Sequence, residues 1–166
     1  MSEKEVSIYT DGACLGNPGR GGYGVVLCYN GNRKQISGGF RLTTNNRMEI
    51  MAAIVGLEAL KSPCTVNLYT DSKYLADAMI HGWARRWKMN GWRRNKREKA
   101  VNPDLWSKLL KLCGQHTVNF RWIKGHAGNK WNEICDKLSK QAASENNLPD
   151  DDGYVSHQQG TLLEED

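Results

Sequence analysis

The sequence predicts an α/β protein with a mixed sheet of five strands, three antiparallel and then parallel, flanked by helices. Three observations carry this. Three alternating, β-rich runs joined by glycine-containing turns fill the stretch up to Arg41. Beyond it, helical and strand patterns take turns, and a strand–helix–strand order implies a parallel pair with a right-handed crossover. At 166 residues, 39% of them hydrophobic, the chain is long enough to bury one core of its own.

Val6 to Thr10 reads as the first strand, and Asp11-Gly12, a common turn signal, is expected to end it. Gly16 to Gly22 reads as a loop; it lacks the GxxxxGK[ST] pattern, so no nucleotide-binding P-loop is expected. Tyr23 to Tyr29 is the second strand, and Gly31-Asn32 turns it into a third at about Lys34 to Arg41. Thr43-Thr44-Asn45-Asn46 offers N-caps for a helix to about Leu60, with Met48, Met51, Ala52, Val55 and Ala59 as its apolar stripe and Ser62-Pro63 as its stop. Thr65 to Thr70 is the fourth strand, with Asp71 at its end. Ser72 can cap the helix through Tyr74, Leu75, Ala78 and Met79. Pro103 opens a helix to about Cys113, and His116 to Lys124 is the fifth strand. The loop Gly125-His126-Ala127-Gly128 follows. The last helix spans Trp131 to about Ser144, with Ile134, Leu138 and Ala142 on its apolar side. This divides the chain into a domain over 1–144 and a polar, acidic segment over 145–166 that is expected to be mobile. No internal repeat is evident.

The charge is unevenly spread. All 23 lysines and arginines precede residue 141, and seven of the 18 acids lie in 145–166. Residues 1–144 therefore carry 23 basic against 11 acidic residues, a net of +12, which points to a polyanionic partner. Residues 82–99 hold eight of these cations beside Trp83, Trp87 and Trp92. Cations interleaved with flat aromatics suit a phosphate backbone with sugars or bases stacked alongside, so this stretch is read as a protruding basic arm that grips a strand. Five cysteines without CxxC spacing indicate neither a disulfide framework nor a zinc site and fit a reduced, cytoplasmic setting. The polar, acidic amino terminus predicts no signal peptide. No apolar run approaches the ~20 residues of a membrane span. A monomer is the default expectation.

Four acids sit at expected element ends: Asp11, Glu49, Asp71 and Asp136. Taken singly, Asp11 reads as a turn residue and Glu49 as an acid favoured by a helix dipole. Together they suit a divalent ion, because neighbouring buried carboxylates repel unless a cation offsets them. Mg²⁺, with Mn²⁺ as a possible substitute and one or two ions per site, takes such hard oxygen ligands. Two ions ~3.5–4 Å apart can activate a water and stabilise the leaving oxygen of a phosphodiester. His126, between glycines on a loop, suits proton transfer. Cys14 lies near Asp11, but nothing nearby would activate it as a nucleophile.

The stretches TDGACLGNPGRGGYG, TTNNRMEIMAAIVGLEAL, YTDSKYL and IKGHAGNKWNEICDKL occur in that order. They resemble the motifs of type 1 ribonuclease H, in its bacterial ribonuclease HI form, over nearly the whole chain to about residue 144. The resemblance implies a ribonuclease H-like fold. It also implies endonucleolytic hydrolysis of the RNA strand of RNA–DNA hybrids, leaving 5′-phosphate and 3′-hydroxyl ends with little sequence specificity. By the same resemblance Asp11, Glu49, Asp71 and Asp136 are metal ligands and His126 assists proton transfer or product release. Cys14, Asn17 and Asn46 meet the substrate in its groove, and Thr44 and Asn102 hold a phosphate of the DNA strand. Trp83, Trp87, Lys88 and Trp92 belong to the basic handle, to which Arg93 is added here as a further cation. Two positions depart from the pattern. Lys73 stands where relatives often carry a neutral residue, and a phosphate contact is expected of it. Trp131 occupies part of the loop between His126 and Asp136.

Sensing RNA requires hydrogen bonds to the 2′-hydroxyl, and Asn17, Asn46 and Glu49 are suitable partners. Two alternatives demand different chemistry. A metal nuclease of the same fold class could act on duplex DNA, but the four acids with GHAG favour ribonuclease H. A non-catalytic hybrid-binding module has no use for four repelling acids beside a basic groove.

Overall fold

Residues 4–156 are described by a computed structural model of the chain. Three long strands open it: β1 (Lys4–Leu15), β2 (Gly19–Tyr29) and β3 (Asn32–Thr43), paired antiparallel. β4 (Cys64–Thr70) then pairs parallel to β1, and β5 (Thr117–Trp122) parallel to β4. The sheet order is β3-β2-β1-β4-β5, the mixed arrangement that the alternating patterns predict. The helices are α1 (Asn45–Glu58), α2 (Lys73–Ile80), α3 (Trp83–Met89), α4 (Pro103–Cys113) and α5 (Lys130–Ala143). Among the described residues no helix is long and apolar enough to cross a membrane.

Helices lie on both faces of the sheet, α5 against β1, β2 and β3. Successive strand residues point to opposite faces, and β2 shows it directly. Val25 packs toward Gly56 of α1, whereas a Cβ on Gly24 would lie 2.4 Å from the Cys135 carbonyl of α5. On the α1 side the core joins Ile8, Val25, Ile54, Leu57, Val66, Leu68, Leu75, Trp106 and Leu109.

Four expectations are corrected here. The first strand does not stop at Asp11-Gly12. β2 keeps pairing with it from Asp11↔Gly24 to Leu15↔Arg20, and that ladder overrides the local turn preference. The strand expected over 116–124 is shorter, because β4 offers partners only along Thr65–Thr70. α1 has no single apolar stripe. Ile50, Ala53, Ile54 and Leu57 are buried along with Met48 and Ala52, since the helix is enclosed by β1, β2 and α4. α5 turns a partly different side inward: Ala142 is buried as expected, together with Asn132, Cys135, Ser139 and Ala143, whereas Ile134 and Leu138 are only partly covered. The cause lies in β2, where Gly22 and Gly24 let the α5 backbone approach until a Cβ on either would collide with it, at 2.2 and 2.4 Å. Small residues are what fit such a gap.

The acidic segment after residue 144 is also not wholly mobile. Pro149 accepts a backbone hydrogen bond from Arg41, Asp150 pairs with the Arg41 guanidinium at 2.7 Å, and Asp151 is buried. Asp151 meets Arg47 through Nε–Oδ2 at 2.7 Å and Nη2–Oδ1 at 2.9 Å, and it accepts a hydrogen bond from Thr43. Arg47 also forks onto Asp104 of α4, at 2.7 and 2.9 Å. Burial alone would weaken the Arg47 charge; the two carboxylates reverse that and hold it firmly protonated. The expectation of mobility at 157–166 lies outside the described residues.

Candidate active site

Register explains why two of the acids meet. The last parallel pair of β1 and β4 is Thr10↔Thr70, so Asp11 and Asp71 are the next residues on neighbouring strands. This is the carboxyl end of the parallel strands, where α/β sheets gather their sites. Glu49 arrives from the first turn and a half of α1, which Thr44 caps by accepting from the Arg47 amide at 3.2 Å. One oxygen each from Asp11, Glu49 and Asp71 lie within 4.8 Å of one another. Asp136 of α5 borders the same open cavity of about 340 Å³ but stands outside this tight set, with its carboxylate on Lys140 at 3.0 Å.

Close packing holds the acids in place. The Gly12 amide donates to Asp11 Oδ1 at 3.0 Å and also to Glu49 Oε1. A Cβ on Gly12 would sit 2.5 Å from the Glu49 amide nitrogen, so only glycine lets α1 come this near the strand. Gly125 plays the same part for the His126 loop, where a Cβ would lie 2.8 Å from Asp71 Oδ2. Asn132 donates to that Oδ2 at 3.3 Å, and the Trp122 indole donates to the Asp71 carbonyl at 3.2 Å.

The electrostatics match a cation site. Burial raises the Asp11 carboxyl to about 7, with the charges of Asp71 and Asp136 adding and the Glu49 hydrogen bond subtracting. Burial, then the Asp11 charge, pushes Glu49 well above the usual carboxylate range. Glu49 Oε2 is buried with no hydrogen-bond partner. An unpartnered buried carboxylate oxygen is costly in a protein and well suited to a hard divalent ion. The residues present therefore fit a metal. Cys14 borders the cavity, but burial and the Asp151 charge push its thiol to about 11, which leaves no thiolate to act as nucleophile.

His126 borders the cavity from its exposed loop, at φ 55°. Asn17 accepts from the Asn45 amide at 3.1 Å, and Asn45 lines the cavity while Asn46 is exposed beside it. Asn102, also left-handed at φ 62°, accepts from Arg47 at 3.2 Å and donates to the Tyr74 hydroxyl at 3.2 Å. The basic arm consists of α3 and a following hairpin in which Ala100 bonds back to Trp92. Its tryptophans are not all exposed. Trp87 meets Trp106 edge-on at 5.9 Å, and both Trp87 and Trp92 are half-buried against the core, while Trp83 and Lys88 face solvent. Arg93 donates to the Lys96 carbonyl at 2.9 Å. Between arm and body lies a cleft of about 290 Å³ lined by Lys73, Tyr74, Asp77, Trp83, Trp87 and Arg94 among others. Trp131 lies under Arg33, 4.4 Å from its ring centroid.

Sequence reasoning missed Arg47, Asn132 and Trp122. Nothing local marks them; each acts on a residue at least 51 positions away.

The family profile of RNase H matches residues 3–144. A ribonuclease H from Rippkaea orientalis is 65% identical over 153 residues, which cover 92% of this chain and 94% of the relative. A ribonuclease HI from Synechocystis is 56% identical, covering 90% and 94%. Among solved structures, LC9-RNase H1, described as a type 1 RNase H with the type 2 active-site motif, superposes with a TM-score of 0.77 at 32% identity, covering 86% of this chain and 74% of that one. LC11-RNase H1, solved in complex with an RNA/DNA hybrid, superposes with a TM-score of 0.63 at 26% identity, covering 83% and 96%.

Proposed function

The chain belongs to the RNase H family, and we propose that, as a ribonuclease H, it acts through Asp11, Glu49, Asp71 and Asp136 as ligands of divalent metal. It is an endonuclease that hydrolyses the RNA strand of RNA–DNA hybrids. The observation that carries the metal reading is the buried, unpartnered Glu49 Oε2 within a set of three carboxylates. Mg²⁺ is the ion proposed, with Mn²⁺ as a substitute and one or two per site; bound there, it would activate water and neutralise charge on the phosphate.

The protein's own groups do the rest. Gly12 and Asn132 orient the carboxylates, and His126 is placed to move a proton at the mouth of the cavity. Cys14, which borders the cavity, and Asn17 and Asn46 are proposed for groove contacts, and Thr44 with Asn102 is the proposed DNA-phosphate site. Lys73, Trp83, Trp87, Lys88, Trp92 and Arg93 are the proposed grip on the hybrid. Contacts of this kind read shape and backbone, so little sequence preference is expected. The catalytic domain is taken as 1–144. The setting is cytoplasmic, consistent with five free cysteines, and the enzyme a monomer.

The test is cleavage of a labelled hybrid with Mg²⁺, beside duplex DNA, duplex RNA and an EDTA control. The expected result is cutting of the hybrid's RNA strand alone, with 5′-phosphate and 3′-hydroxyl ends, abolished by EDTA. Hybrid binding without cutting would overturn the proposal.

A further inference from the structure

Lys73 is the first residue of α2, two positions from Asp71, and exposed. A cation there opposes the helix dipole, so helix stability does not explain it. Its ammonium lies over the Trp122 indole, 5.0 Å from the ring centroid. That same indole donates its Nε1–H to the Asp71 carbonyl at 3.2 Å. Trp122 ends β5 and is 44% exposed, so burial does not explain an indole there either. One ring therefore ties down the backbone of a site acid and the lysine two positions beyond it together. Lys73 also lines the cleft that leads to Trp83, Trp87 and Arg94 of the basic arm. It stands between the carboxylates and the arm.

We infer that Trp122 is a positioning residue: its face holds Lys73 as a contact for a backbone phosphate between the cut site and the arm, and its N–H fixes Asp71. This rests on the hybrid-cleaving reading above. A cation over a π-face keeps its N–H donors free for phosphate oxygens. Pre-ordering a long, flexible side chain lowers the entropy lost when the phosphate arrives.

The experiment is steady-state cleavage of a labelled hybrid with Mg²⁺ over a KCl series, for wild type, Lys73→Met, Trp122→Phe, Trp122→Leu and the double variant Lys73→Met/Trp122→Leu. Lys73→Met is expected to raise KM several-fold and to lower the salt slope of KM by about one, the loss of one phosphate contact. Trp122→Phe keeps a ring under Lys73 but loses the N–H, so kcat falls more than KM rises. Trp122→Leu raises KM as Lys73→Met does, and the double variant raises it no further. An unchanged salt slope in Lys73→Met, or KM effects that multiply in the double variant, would overturn the inference. If Trp122→Leu does not fold by circular dichroism, the split between kcat and KM in Trp122→Phe decides, and equal changes in both would overturn it. A wild type that leaves hybrids uncut is a failure of the broader reading, not of this one.

Discussion

Asp11→Asn should make the metal-free protein more stable at pH 8, although it removes a proposed metal ligand. Burial lifts the Asp11 carboxyl from 3.8 to about 7. Between those pH values the folded chain keeps a proton that the unfolded chain has released, so stability falls as pH rises through that window. At about 1.4 kcal/mol per tenfold change in proton affinity, the full window corresponds to about 4 kcal/mol. The buried asparagine amide carries a desolvation cost of its own, so the net recovery should be about 2 kcal/mol. For a chain of 166 residues that is a rise in melting temperature of roughly 4–8 °C. The assay is thermal unfolding by circular dichroism in EDTA at pH 4 and pH 8. At pH 4 the wild-type carboxyl is largely protonated and the two proteins should melt close together; at pH 8 the gap should be open. Added Mg²⁺ should then raise the wild type and close the gap, since an ion that binds only the folded chain stabilises it by mass action. A gap of equal size at both pH values would refute the reasoning, as would a variant that melts lower at pH 8.

Three further outcomes are expected. Asp71→Asn should nearly abolish hybrid cleavage while hybrid binding, read by fluorescence anisotropy, persists; equal loss of both would count against a role in metal holding. Asp151→Ala should destabilise the protein by about 3 kcal/mol in urea unfolding, because it strips one of two carboxylates from a buried guanidinium. A change below about 0.5 kcal/mol would show that Asp104 alone satisfies Arg47. Replacing Lys88 and Arg93 by Ala should weaken hybrid binding and flatten its salt dependence, and an unaltered slope would remove them from the binding surface.

Much of this was legible in the residue order. Asp71 could be placed because a strand pattern, a capping serine and a helix surround it. Glu49 could be placed because threonines and asparagines announce the start of its helix. The mixed character of the sheet, antiparallel strands and then a parallel pair, followed from hairpins first and a crossover later. What could not be read were features that exist only across the chain. β1 runs through Asp11-Gly12 because β2 lies beside it, not because of anything in those two residues. The inward side of α5 is set by missing side chains on β2, so apolar periodicity within the helix identifies Ala142 but not Asn132, Cys135 or Ser139. The sequence places Trp87 and Trp92 on a basic arm, but only the folded chain shows how far Trp106 and the core take up their rings. Nothing in the sequence singles out Arg47 among 23 cations, because its two acidic partners lie 57 and 104 positions away.

That last separation bears on how the protein is made. A ribosome delivers Arg47 and Glu49 early, Asp104 midway, and Asp151 only after all ten named elements have been synthesised. Domains fold as units, so the helix bearing Glu49 obtains both acids of its guanidinium only once the chain as far as Asp151 is present. Thr43, at the end of β3, waits for the same carboxylate. The clasp on the start of that helix is thus closed by a residue that lies beyond every named strand and helix of the chain.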